Sequence, residues 1–188
     1  MKVSFFRVIY IVFILLSAFQ LKAQNDSNPP SSRTIEKIGD VVLYILPVAT
    51  LGSTYLIGDK KGPWQFTKGL LFTEILTYGL KLGVDKPRPD MSNNNSFPSG
   101  HTSTTFHNAS FIHIRYGFKY SIPSYVLAGF TAFSRVESNK HDVIDVIAGA
   151  VIGLASNLVF TTNYQKEQFQ LTFNSSKNEC LIGFTYKF

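Results

Sequence analysis

The segment Val146–Gln165, VIAGAVIGLASNLVFTTNYQ, contains no acidic or basic side chain and reaches the length of a membrane-spanning helix. An apolar run of this length is read as helix rather than strand. A second charge-free run, Val41–Gly58, VVLYILPVATLGSTYLIG, repeats the signal near the other end of the chain. Between them the apolar segments are long and separated by Gly, Pro and Asn, so helices are expected near 35–57, 65–82, 100–116, 122–134 and 140–162. The fold class that follows is all-α, a bundle of about five to six helices. Pro47 should kink the first of them, because proline lacks an amide proton and crowds the preceding turn. In the last, Gly149 and Gly153 stand among Ala148, Ala150 and Ala155, so a neighbouring helix of the same chain can approach its backbone closely.

The medium around this bundle is less decided. Glu74 interrupts the second helix, His107 and His113 the third, and the fourth is short. Water-soluble and integral bundles both stay open, and the mean hydropathy of +0.08 favours a soluble or peripheral one.

The ends differ from the middle. Residues 1–23 carry Lys2 and Arg7, an apolar run from Val8 to about Leu21, and a cleavage-like site after Ala23, which reads as a secretory signal peptide. The protein is therefore expected to be exported to the periplasm or cell envelope, soluble or membrane-associated. Polar residues 24–33 read as a flexible leader, 34–165 as the helical domain, and 166–188 as a C-terminal β-hairpin, since QFQLTF and IGFTYKF alternate apolar and polar around NSSKN. Removing residues 1–23 takes away Lys2, Arg7 and Lys22 and no acid, so the formal charge falls from +6 to +3. No dense basic tract remains, which disfavours nucleic acid as a partner. Cys180 is the single cysteine, so an intrachain disulfide and cysteine-based metal sites are excluded, and no cysteine follows the signal to accept lipid.

Three short stretches carry chemistry. In SRVESNKHDVID, Ser134–Asp145, Asn139 can cap the last helix, placing His141 in its first turn and Asp145 four residues on along the same face. A carboxylate there can hold one imidazole nitrogen and leave the other free as base or nucleophile. In FPSGH, Phe97–His101, Ser99 can cap the third helix and Gly100 lets a ligand approach the backbone, so amide protons and His101 face an anion together. In KLGVDKPRP, Lys81 ends the second helix, and Pro87 and Pro89 stiffen the backbone around Arg88. Taken singly, these read as a surface ion pair, an ordinary helix cap and a basic helix end. Together they supply the cations Lys81, Arg88 and Arg135, a helix N-terminus and two histidines, the parts of a site for phosphoryl transfer.

Lys81 with Arg88-Pro89, Pro98-Ser99-Gly100-His101, and Ser134-Arg135 with His141 and Asp145 resemble the complete three-part signature of the type 2 phosphatidic acid phosphatase and vanadium haloperoxidase superfamily. The resemblance implies that His141 attacks phosphorus and forms a phosphohistidine, that Asp145 orients it, and that His101 protonates the leaving oxygen and then activates water. It implies that Lys81, Arg88, Arg135 and the Ser99–Gly100 amides hold the phosphate, with Ser134 in support. The expected activity is hydrolysis of a phosphate monoester or a lipid (pyro)phosphate, without a metal or other cofactor, with vanadate able to occupy the phosphate site. The expected partner is a phosphorylated small molecule or lipid phosphate. A vanadate-dependent haloperoxidase and a non-catalytic phosphate-binding envelope protein are the alternatives. His101, His107 and His113, six residues apart, turn about 240° around the helix at each step and cannot converge on one ion.

Overall fold

Five helices carry the chain from Pro30 to Phe160 in the computed structural model, which describes residues 30–164, 169–176 and 179–186. They are α1 (Pro30–Ile57), α2 (Gly62–Val84), α3 (Gly100–Tyr116), α4 (Phe118–Glu137) and α5 (Val143–Phe160). The expected signal peptide, and residues 24–29 of the expected leader, lie outside the described residues. Pro30–Arg33, the rest of that leader, already form the first turn of α1, where the fixed φ of proline suits a helix start. The helix then runs on through Pro47. The class is all-α and rests on these helices alone. The C-terminal hairpin expected over 166–188 adds nothing to that class.

Local chemistry explains the breaks. Gly58 takes a positive φ of 77° to end α1, and the Asp59 carboxylate then accepts the N–H groups of Lys61 and Gly62 at the start of α2. Gly117, at φ 110°, is the single link between α3 and α4. One expected cap is corrected. Asn139 does not cap the last helix: it sits at φ 54° in the preceding turn, and His141 falls just before the helix instead of in its first turn. Asp142 is the cap, because its carboxylate accepts the Asp145 N–H while the Asp145 carboxylate accepts the Asp142 N–H. An acidic pair three residues apart ahead of an apolar run is the signal for that reciprocal arrangement.

Helix α3 is central and packs against all four others. Its buried surface is polar: Thr102, Ser103, Thr105, His107 and Asn108 are fully inside. Their groups are largely paired. Thr104 and Thr105 donate back to the carbonyls of Gly100 and His101, Thr77 of α2 donates to Ser103, and Asn157 of α5 donates to the carbonyl of His107. The outside is the reverse, with Leu56 87%, Ile75 71% and Leu158 75% exposed. A water-soluble domain buries its large aliphatic side chains first, so this distribution runs against the soluble or peripheral bundle that mean hydropathy favours. An average over the chain cannot distinguish a polar interior from a polar surface.

The small residues of α5 permit the close packing. A Cβ at Gly149 would press on the Ser99 carbonyl and Thr102, and one at Gly153 would overlap the Ser103 carbonyl and the His107 amide. The helix backbones of α3 and α5 therefore meet with nothing between them, as the glycine spacing leads one to expect.

Candidate active site

One end of the bundle gathers the end of α2, the start of α3, the end of α4, the start of α5 and the loop 85–99. Backbone bonds fix this meeting. The His141 and Lys140 N–H groups both donate to the Arg135 carbonyl, and the Ser99 N–H donates to the Asp145 carbonyl at 2.9 Å. The loop is held in turn by Asp90 N–H on the Asn139 carbonyl and by Arg88 N–H on the Asn93 carbonyl. Lys81 reaches across it, donating to the carbonyls of Asn95 at 2.8 Å and Pro98 at 2.6 Å.

His141 is buried, 3% exposed, beside Asp145, which is fully buried. Its Nδ1 lies 3.6 Å from Asp145 Oδ2, within ion-pair range but with no hydrogen-bond partner of its own. The Asp145 oxygens are already engaged, accepting from Lys86 Nζ at 2.8 Å, from Ser96 Oγ and from the Asp142 N–H. Catalytic hydrogen bonds are often long before substrate binds. Burial, with the cations Arg88 and Lys81 beside it, pushes the His141 imidazole well below the ordinary histidine range, so it is neutral with a lone pair available at neutral pH.

Arg88 stands half-buried with its Nε shut away from solvent and without a hydrogen-bond partner, while Asp90, Glu36 and Asp145 lie within electrostatic reach of its charge. Arg135 is differently placed. It is 3% exposed, and its guanidinium donates to Asp40 Oδ1 at 2.9 Å, the Glu36 carbonyl at 2.5 Å and Ser134 Oγ at 3.1 Å. Gly39 makes that passage possible, because a Cβ there would strike Ser134 Oγ and the Arg135 guanidinium. His101 lies at the start of α3, and its Nε2 meets the same Asp40 oxygen at 2.9 Å.

The structure thus brings Lys81, Arg88, His101, Arg135, His141 and Asp145 together. Ser99 is narrowed: it precedes α3 at the cap position but makes no side-chain cap bond, its hydroxyl accepts from Thr102, and its N–H is spent on Asp145. The amides left at the helix start begin with Gly100, where a Cβ would make only ordinary contact with Thr77 and Lys81. His107 and His113 stand apart, the first among Thr73, Ser156 and Asn157, the second beside Tyr125.

Four side chains escaped the sequence reading. Asp40 joins His101 to Arg135. Lys86 bridges Asp142 and Asp145, and although burial opposes its charge, those hydrogen bonds push its pKa above the usual lysine value. Ser96 donates to Asp145, and Lys140, 4% exposed, pairs with Asp90 at 3.0 Å. Lys86 and Ser96 flank recognised motif positions. Asp40 stands as the last charge before an apolar run, the one cue it offered.

Residues 62–169, more than half the chain, match the PAP2 superfamily. The chain belongs to it. With PAP2 membership the reaction class follows, a hydrolase acting on phosphoester bonds. Among relatives, the chain is similar to a lipid A 4'-phosphatase of Helicobacter pylori, 29% identical over 170 residues that cover 84% of each chain. It is also similar to a lipid A 1-phosphatase of Porphyromonas gingivalis, 42% identical over 77 residues that cover 39% of this chain and 17% of that one. Two crystal structures share the PAP2 fold. LpxE of Aquifex aeolicus superposes with a TM-score of 0.60 at 17% identity, covering 80% of this chain and 92% of that one. The first transmembrane PAP2-type phosphatidylglycerolphosphate phosphatase from Bacillus subtilis gives 0.59 at 20% identity, covering 82% and 92%.

Proposed function

We propose that the protein is a membrane-embedded lipid phosphate phosphatase that works through a phosphohistidine on His141. The observation that carries the reading is His141, neutral and buried, set beside Asp145 and within electrostatic reach of Arg88, Lys81 and His101. His141 attacks phosphorus as the P–O bond to the leaving group breaks. His101 gives its proton to that oxygen. Water then attacks the phosphohistidine, His101 takes back a proton, and the N–P bond breaks to release phosphate. Lys81, Arg88 and Arg135 neutralise the charge on the phosphoryl oxygens, with Arg88 Nε free to turn from an unpaired donor into a bound one. In this reading those cations serve a tetrahedral oxyanion with no metal ion required, and vanadate would take the same donors.

The membrane setting rests on the reversed burial. Ser31–Ile57 and Val143–Phe160 are long and apolar enough to cross a bilayer, and only 22% and 33% of their apolar stretches are buried. Small and polar residues then hold the helices together, because lipid offers no hydrophobic drive for association. A site at one end of such a bundle lies at headgroup depth, where a lipid phosphate sits. Lipid A is the first substrate to test, given the names of the relatives that cover this chain.

The experiment uses the full chain in detergent, with lipid A and EDTA. Phosphate release by the wild type and none by His141→Ala supports the reading. Equal release by both overturns the nucleophile, and release only of water-soluble esters overturns the lipid.

A further inference from the structure

We infer that Asp40 is the positioning residue for His101: it holds the proton on Nε2 and so presents Nδ1 to the leaving oxygen. The inference rests on the proposed reaction and deepens it. Asp40 lies on α1, ahead of the residues that match the superfamily, and belongs to none of the three sequence stretches.

The geometry is direct. Asp40 Oδ1 stands 2.9 Å from His101 Nε2 and 2.9 Å from the Arg135 guanidinium, so one carboxylate oxygen joins two members of the site. A carboxylate on that side only accepts, so Nε2 must carry hydrogen whether the ring is neutral or protonated. Nδ1 is then the nitrogen that exchanges a proton with substrate. As an imidazolium, His101 donates the Nδ1 proton to the departing oxygen, and as a neutral ring it takes one from the attacking water through the same lone pair. Arg135 steadies the carboxylate, and Gly39, one residue away, leaves room for its guanidinium beside α1.

The pair parallels Asp145 and His141, but the division of labour differs. Asp145 is fully buried and answers mainly to Lys86 and Ser96, whereas the Asp40 side chain is 41% exposed and meets His101 at hydrogen-bond distance. His101 is thus the histidine with the tighter carboxylate. A group that must gain and lose a proton in each cycle benefits most from such a partner.

The alternative is that Asp40 only neutralises Arg135. Leaving-group dependence separates the two, because a proton donor matters most when the leaving oxygen is strongly basic. Full-length protein in detergent is assayed for kcat/KM on aryl phosphates whose phenols span a range of acidity. Asp40→Asn is expected to lose about 100-fold on the most basic leaving group and less than about 5-fold on dinitrophenyl phosphate. His101→Ala should show the same slope, and adding Asp40→Asn to it should cost nothing more. A uniform loss across the series with weaker vanadate inhibition, or additive losses in the double variant, would overturn the inference in favour of the Arg135 role.

A second measurement needs no Asp40 variant. In wild-type protein with nitrogen-15 histidine, the signals that vanish in His101→Ala should report the Nε2–H tautomer when the ring is neutral, and Nδ1–H overturns the proposal. Wild type without phosphate release would instead sink the phosphatase reading, and release by His141→Ala would sink the nucleophile; either leaves the tautomer result standing.

Discussion

Two arginine clusters, one at each end of the bundle, differ in how far the chain itself satisfies the charge: fully at one, only in part at the other. Arg115 and His101 lie at opposite ends of α3, about 21 Å apart at 1.5 Å per residue. Arg115 is 1% exposed, with Nε and one terminal nitrogen on the two oxygens of Asp59 at 2.7 and 2.6 Å and the other on the Thr162 carbonyl at 2.8 Å. Tyr116 donates to the same carboxylate. Burial would raise the Asp59 pKa, but these hydrogen bonds outweigh it and hold the carboxyl below its usual range. The charge is matched within the chain. At the other end Arg88 keeps a buried Nε with no partner, and His141 a buried Nδ1 with none. An unsatisfied buried donor costs about 1–3 kcal/mol, and a fold bears that cost where a ligand supplies the missing acceptor.

The contrast can be broken by substitution at either end. The largest effect is expected from His141→Ala, which should bring phosphate release below about 10⁻⁴ of wild type while the thermal midpoint stays within a few degrees. A midpoint collapse would make His141 structural. Next comes Arg115→Ala, which strands Asp59 in the interior and should cost about 3–5 kcal/mol in unfolding measurements. Activity per folded molecule should hold, and a specific loss of turnover would tie the far end to the chemistry. Arg88→Ala should reverse that pattern, lowering kcat/KM about 10²–10³-fold with little loss of stability, since its buried Nε has no hydrogen-bond partner in the protein to lose. Gly153→Ala, which drives a methyl into the Ser103 carbonyl, should cost about 1–3 kcal/mol by separating α3 from α5.

The smallest expected effect is on pH dependence. The folded pKa of His141 is depressed, so below about pH 6.5, the ordinary histidine value, the unfolded chain binds a proton that the native protein does not. Stability is therefore full above that value and falls as the pH drops below it. Unfolding midpoints between pH 5 and pH 7 should rise with pH in wild type and rise less in His141→Ala. An identical rise would place the titration elsewhere. Bound vanadate should also flatten the wild-type curve, since an anion between the cations favours the protonated ring.

Much of the site was legible because its chemistry is local in sequence. Pro87 and Pro89 around Arg88, Ser99 and Gly100 before His101, and the spacing of His141 and Asp145 are short-range patterns, and the structure gathers them. The cap of α5 was misread because Asn139 and Asp142 are both good caps, and only the turn at φ 54° shows which one the chain uses. Asp40 was missed for a different reason. It meets partners 61 and 95 residues away, and no local pattern encodes a contact made by the packing of α1 against α3 and α4.

Sequence alone determined the helices, since period and punctuation act over a few residues, and the three short motifs that the fold brings to one end of the bundle, since their spacing is a local matter of caps and turns. It also determined where α5 lets another backbone approach, because glycine leaves no side chain to keep it away. Only the tertiary structure decided that the polar residues face inward and the apolar ones outward, that Asp145 is held by Lys86 and Ser96, and that Asp40 links His101 to Arg135. The reason is physical: burial and long-range pairing are properties of packed helices, and two side chains acquire them only once the chain between them has folded.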